Sequence, residues 1–248
     1  MRVTSLIIVV FVTLFASATF AQTTTSRCAE CHFANMSSVP APQHLGDWQQ
    51  SMHGKRNVDC DKCHGGDPMT FQPVEAHVGV LNSENPASPV FRANLVQTCA
   101  PCHERNTSAV RRSIHQALVR ADDPRAPTCT TCHGVMSARV PSPAALESRC
   151  AACHPSGSVR GEYPGLMHDG VERLNAQRDR ADVLEQAIEK VTDRTRRVEL
   201  LAALYDARTA LKEAVAGAHT FDVRTLVERV DAAKRRLDLV TVPGKTVP

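Results

Sequence analysis

Residues 28–32 read Cys-Ala-Glu-Cys-His, and this spacing of two cysteines and a histidine decides how the chain must fold. The same Cys-x-x-Cys-His pattern returns four times, at residues 60–64, 99–103, 129–133 and 150–154. All ten cysteines of the 248-residue chain belong to these five motifs. Residues four apart lie on one face of a helical turn, so the first cysteine and the histidine of each motif can address the same bound group.

A Cys-x-x-Cys-His motif is the attachment signature of haem c, in which the thiols bond the two vinyl groups and the imidazole binds iron. Zinc knuckles and redox-active dithiols also use Cys-x-x-Cys, but neither requires a histidine directly after the second cysteine. A disulfide scaffold does not require that histidine either. The sequence therefore predicts five haem c groups. The predicted attachment points are Cys28, Cys31, Cys60, Cys63, Cys99, Cys102, Cys129, Cys132, Cys150 and Cys153, and the predicted proximal iron ligands are His32, His64, His103, His133 and His154.

Over roughly Cys28 to His154, about half of its length, the chain resembles the multihaem c-type cytochromes. In that family a second histidine commonly fills the other axial position of each iron. Ser51-Met52-His53-Gly54 and Ser113-Ile114-His115 resemble the Ser-x-His elements that supply such distal ligands. Glu75-Ala76-His77, which follows Cys-His-Gly-Gly-Asp-Pro, is also similar to these proteins. The resemblance implies that His53, His77 and His115 are distal ligands.

Three other histidines and one methionine stay open as ligands. His44 and His168 could serve the remaining irons or could be surface residues. Met136, three residues after His133, places a thioether where a ligand imidazole could stand, although apolar packing against a porphyrin is the more ordinary role. His219 lies in a predicted break between helices, where a histidine is more often exposed than ligating.

The composition divides the chain into two parts after a leader. Residues 22–164 contain much Pro, Gly and Ser without sustained periodicity, which predicts short helices joined by loops and almost no sheet. Because aromatic residues make up only 4% of the chain, we expect porphyrins to fill the interior of this pentahaem domain. The expected fold is mainly α with much irregular loop, a haem-packed domain followed by a C-terminal helical hairpin or small bundle in residues 165–248.

Two stretches of the C-terminal region show helical periodicity. Residues 171–216 lack Gly and Pro and predict amphipathic helix, with a reversal near Thr192 to Thr195 because one helix of that length would be about 69 Å long. A further helix is predicted from about Asp222 to Leu239, with Thr220 as a possible cap. The apolar positions are Val171, Leu174, Ala181, Leu184, Ile188 and Val191 in the first stretch, and Val223, Leu226, Val227, Val230, Ala233 and Leu237 in the second.

The N-terminus has the features of an export signal. An apolar run and the small residues before Gln22 predict a signal peptide over residues 1–21, and hence a periplasmic or otherwise extracytoplasmic protein. The alternative is a retained anchor over residues 6–21, slightly shorter than the roughly 17 to 25 residues that span a bilayer. The formal charge of +3 does not indicate nucleic-acid binding, because the propionates of five haems would add about −10.

We expect the protein to transfer electrons between redox protein partners by hopping along five closely packed haems. An electron carrier is preferred over an enzyme, since an open-coordinate haem acting on a small nitrogen or sulfur compound needs converging acid/base groups. The Cys-x-x-Cys-Lys motif that marks the active haem of pentahaem nitrite reductases does not occur in the sequence. A membrane-anchored quinol dehydrogenase subunit is a third interpretation, although Met36 departs from the spacing expected after the first motif. A membrane complex or a homo-oligomer through the C-terminal helices also remains open.

Overall fold

A computed structural model describes residues 26–38 and 41–242. Within these residues the protein is mainly α-helical with connecting loops and no β-strand, as the sequence predicts. The helices are α1 (Arg27–Ala34), α2 (Gln43–Gln50), α3 (Met52–Lys55), α4 (Asp61–His64), α5 (Pro73–Ala76), α6 (Leu95–Cys99), α7 (Glu104–Arg111), α8 (Ile114–Arg120), α9 (Cys129–His133), α10 (Pro143–Ala151), α11 (Tyr163–Ile188), α12 (Arg194–Ala218) and α13 (Val223–Asp238), with a 3₁₀ turn at Met36–Ser38.

The three C-terminal helices pack on one another and contain the main apolar core of the described residues. All twelve positions that the periodicity selected in this region lie in the core or pack against it. Helix packing is close at Gly170 of α11, where a Cβ atom would meet Leu226 of α13 at 2.7 Å. The C-terminal region is therefore a small helical bundle, with plain core packing on its apolar stripes.

The predicted reversal between the first two bundle helices is confirmed. Helix α11 ends at Ile188 and α12 begins at Arg194, where the Asp193 side chain caps the helix by accepting a hydrogen bond from the backbone N–H of Arg196. The cap of α13 differs from the expectation. Asp222 is the capping residue, while the Thr220 hydroxyl accepts from the Asp222 N–H and so shapes the turn before it.

Residues upstream of the bundle bury little apolar surface of their own. Their buried apolar side chains are small or scattered along the chain, as at Ala29, Leu45, Trp48, Val96 and Ala109. Many large apolar side chains in this part are instead exposed, namely those of Met36, Met52, Met69, Phe71, Val74, Val78, Ile114, Leu118, Val135, Val140 and Val159. Exposed apolar surface at this density is unusual for a soluble domain and indicates that large apolar groups cover it.

The bundle is joined to the upstream residues along two helices. Helix α10 packs on α11, and α7 packs on α12, where the Arg105 guanidinium lies 2.8 Å from a carboxylate oxygen of Glu213. Helix α11 begins at Tyr163, so the predicted boundary at residue 164 falls in its first turn. The division into two domains stays a prediction.

No helix among the described residues is long and apolar enough to cross a membrane. The predicted signal peptide (1–21) and the alternative anchor (6–21) both lie outside the described residues.

The bundle core predicts that truncation of a buried leucine lowers stability much more than truncation of an exposed one. Leu226 of α13 is fully buried, whereas Leu201 of α12 is 42% exposed. Leu226→Ala should lower the free energy of unfolding by about 2–5 kcal/mol because it leaves a cavity. Leu201→Ala, the control, should cost less than about 0.5 kcal/mol. Thermal unfolding followed by circular dichroism measures both, and equal losses would contradict the packing described above.

Candidate metal centres

Each Cys-x-x-Cys-His motif forms a single helical turn, as its spacing predicts. The backbone N–H of the histidine donates to the carbonyl of the first cysteine over 2.9 Å in the motifs that start at Cys60, Cys99 and Cys150. The motifs that start at Cys28 and Cys129 lie within helices α1 and α9. In every motif the first thiol and the imidazole therefore stand on the same side of the chain.

Four of the five motif histidines face a second histidine from elsewhere in the chain. The ring centres are separated by nearly the same distance in all four pairs. The pairs are His32 with His77 (5.8 Å), His103 with His53 (6.0 Å), His154 with His115 (6.2 Å) and His133 with His219 (6.0 Å).

The remaining motif histidine, His64 of the second motif, has His44 beside it. Burial, followed by the proximity of His44 and His32, lowers the pKa of His64. Burial and the partner ring likewise lower the pKa of His32, beside His77, and of His53, beside His103. An imidazole whose pKa is lowered stays neutral at physiological pH, which is the form that binds metal.

The spacing of these rings suits a metal ion between them. Metal–nitrogen bonds of about 2 Å on each side, plus roughly 1 Å from each nitrogen to its ring centre, put two imidazoles on one ion about 6 Å apart. Two rings in direct contact would lie closer than this, and unrelated rings would not repeat one separation at four places. The residues therefore fit a metal-centred group held between paired histidines.

Several of the imidazoles are oriented by backbone carbonyls. Nδ1 of His77 lies 2.7 Å from the Pro73 carbonyl, and Nδ1 of His133 lies 2.8 Å from the Arg139 carbonyl. Since a carbonyl only accepts, each Nδ1 must carry the proton, which leaves the other ring nitrogen, Nε2, free to bind a metal.

The two Ser-x-His elements have a common local structure. Ser51 and Ser113 are the N-cap residues of α3 and α8, and each side-chain oxygen accepts from a backbone N–H three residues on, over 3.1 Å. Each hydroxyl also donates to the carbonyl three residues before it. The cap therefore fixes the start of the helix, and the histidine at the second helical position, His53 or His115, is held in place.

His219 lies opposite His133, a pairing that the sequence did not favour. The two rings are nearly parallel, with an interplanar angle of 7°, and Nδ1 of His219 lies 2.9 Å from the Val215 carbonyl. His219 follows the last residue of α12, so its position depends on how the bundle packs on the upstream helices. The local sequence carries no motif for it, and its ligand role could have been suspected only from the number of histidines.

The same turn reaches a second histidine pair. The ring of Phe221 packs edge-on against His115 with the centres 4.5 Å apart. Nδ1 of His115 is buried and has no hydrogen-bond partner among the described residues. The α12–α13 turn thus contributes His219 to one pair and covers the His115 side of another.

Two predicted candidates are not brought opposite any motif histidine. Nδ1 of His168 lies 2.8 Å from a Glu147 carboxylate oxygen, an ion pair that joins α11 to α10. Met136 is half-buried in the loop after α9, where His219 occupies the place beside His133.

The thiols and the surrounding apolar side chains complete the sites. All ten cysteines lie in the described residues, where none forms a disulfide and most are half-buried. Burial, helped by Cys28 and Asp59, raises the pKa of Cys60 to about 12. Exposed apolar side chains flank the second histidines, among them Val74 and Val78 around His77. Each site can offer two thiols, two imidazoles and an apolar wall to one flat group.

Comparison with known proteins gives one similarity of note. The chain is similar to the C-type polyheme cytochrome OmcC of Geobacter sulfurreducens, with 24% identity over 150 residues. The aligned region covers 60% of this chain but only 17% of the length of that protein. No protein-family model matches the chain, and no solved structure matches it.

Removal of a cap should weaken one of these sites. Ser113→Ala loses the hydroxyl that starts α8 and should cost about 1 kcal/mol of stability. Ser113→Thr keeps the hydroxyl and serves as the control, with most of the stability retained. The midpoint of thermal unfolding measures both variants, and indistinguishable Ala and Thr variants would show that the cap does not hold His115.

Proposed function

We propose that the chain is a multihaem c-type cytochrome domain that transfers electrons between redox partners outside the cytoplasm. One observation carries this proposal: every motif histidine has a second histidine beside it, at a ring separation of about 6 Å in the four pairs with a measured distance. The similarity to a polyheme cytochrome supports it independently.

Haem c, when bound, supplies the reversible one-electron chemistry of iron. The residues of this chain fix how that chemistry can be used. Two cysteines would hold each group covalently, and two imidazoles would bind its iron. Because this ligation changes little between oxidation states, it suits electron transfer rather than substrate binding.

Five haems are proposed, one for each motif. Each has the motif histidine as proximal ligand and one further histidine as distal ligand. The proposed distal ligands, in motif order, are His77, His44, His53, His219 and His115. His168 and Met136 are left out of this set because neither lies opposite a motif histidine.

The pairing favours a carrier over an enzyme. A haem that acts on a small nitrogen or sulfur compound needs an open coordination position and nearby acid/base groups. In the proposed arrangement all five irons have both positions filled. The proposed location outside the cytoplasm rests on the predicted signal peptide and on covalent haem attachment. Redox protein partners, a membrane complex and a homo-oligomer through the C-terminal helices stay predictions.

The holoprotein itself tests this function. Its mass should correspond to the polypeptide plus five haems, and low-temperature electron paramagnetic resonance of the oxidised protein should show only low-spin signals. A high-spin signal amounting to about one haem would instead indicate an open iron and would favour the enzyme interpretation. A mass with fewer haems would contradict the proposal directly.

A pair of histidine variants tests the distal ligand that the bundle supplies. His219→Ala should convert one haem from low spin to high spin while five haems stay attached. His168→Ala is the matched control, since this histidine also belongs to the bundle but pairs with Glu147, and it should leave the spectrum unchanged.

The signal that disappears in His219→Ala should be distinctive. The shape of a low-spin ferric signal depends on the angle between the two imidazole planes, and the rings of His133 and His219 are nearly parallel, at 7°, whereas the other three measured pairs are tilted by 33° to 55°. Loss of low-spin intensity in His168→Ala, or none in His219→Ala, would overturn the assignment.

A further inference from the structure

We infer that the five haem sites stand in single file in the order of their motifs, so that the first site (Cys28–His32) and the last (Cys150–His154) are the two ends of the row. This inference rests on the proposed function, because it concerns how the proposed sites are arranged. It follows from a separate contact between each motif and the next.

The first and second sites are joined through the residues that flank their motifs. The backbone N–H of Arg27, directly before Cys28, donates to the carbonyl of Pro68 over 2.8 Å, and the Arg27 guanidinium lies 4.7 Å from the centre of the Phe71 ring. Helix α1 also packs on α2, which carries His44, the proposed distal ligand of the second site.

The second and third sites share a helix contact. Helix α4, which ends in His64, packs against α6, which ends in Cys99. His53, seven residues before Cys60, crosses to His103 and so ties the segment before the second motif to the third.

The third and fourth sites are joined through the chain segments that lead to their motifs. Arg92, seven residues before Cys99, donates from its guanidinium to the carbonyls of Asp123 (2.9 Å) and Ala126 (3.1 Å), which lie just before Cys129. The fourth and fifth sites are joined by the packing of α9 on α10, where the Arg149 guanidinium donates to the Cys132 carbonyl.

Helix α7 lies in the chain between the third motif and the proposed distal ligand of the fifth site. This helix begins directly after His103 and has eight residues, which makes it about 12 Å long. His115, the proposed distal ligand of the fifth site, follows after the helix has ended. The contacts described above join the segment of the fourth motif to both the third and the fifth. In a row of this kind the inner sites have two neighbours each and the end sites have one, and redox partners would meet the row at its ends.

The order of the sites is tested by changing the potential of one haem and counting the other haems whose proton resonances shift. A distal His→Met substitution raises the potential of its own haem, because a thioether favours ferrous iron. In a titration that site is reduced first and loses its paramagnetism, which shifts the haem-methyl proton resonances of its neighbours. His77→Met marks an end site and should shift the resonances of one other haem. His53→Met marks the middle site and should shift those of two.

The possible results distinguish a failure of the single-file order from a failure of the proposed function. Two or more shifted haems in His77→Met, or only one in His53→Met, would overturn the single file while leaving five low-spin haems in the unsubstituted protein. Fewer than five haems there, or a high-spin signal, would instead refute the proposed function. If methionine fails to bind, His77→Ala and His53→Ala give a high-spin iron whose larger magnetic moment marks the same neighbours, with the same expected numbers.

Discussion

Pairs of imidazoles, each pair joining residues far apart in the chain, are the constraint on which the upstream half of this structure depends. Residues 26–38 and 41–162 have short helices, long loops and few buried apolar side chains, so side-chain packing alone offers little to fix their arrangement. The histidine pairs hold these segments in a fixed arrangement instead. Each one joins a motif helix to a different segment, and a metal-centred group between the two rings would turn a contact into a bond.

The bundle is instead stabilised by apolar side chains that pack between its helices. Its helices have alanine- and leucine-rich cores, and ion pairs such as Arg173 with Asp231 and Arg180 with Asp238 line the seam between α11 and α13. Three of these four side chains are 40–50% exposed, and such ion pairs add little to stability, so apolar burial between the helices has to provide most of it. The chain thus combines a part that needs bound groups for its interior with a part that has an interior of its own.

Local features of the sequence predicted much of this. The Cys-x-x-Cys-His spacing fixes a helical turn, the Ser-x-His elements contain their own cap, and the apolar period of residues 171–191 and 223–237 marks the buried faces, because each depends only on residues within a few positions of one another. His219 and His168 show where such reasoning ends. Both lie in the bundle without a motif, and only the packing of α12 on α7, and of α11 on α10, places one beside His133 and the other beside Glu147.

The α12–α13 turn makes the bundle part of two of the proposed sites. Phe221 adopts φ of 58°, a left-handed conformation that costs an L residue about 1–2 kcal/mol and that glycine would accept more readily. Glycine could not, however, cover His115 with a ring. With His219 two residues earlier beside His133, the turn touches the proposed fourth and fifth sites at once. Any shift of the bundle would therefore move an imidazole at one proposed site and the packing around a second, so the stability of the bundle and the geometry of these two proposed sites are physically linked.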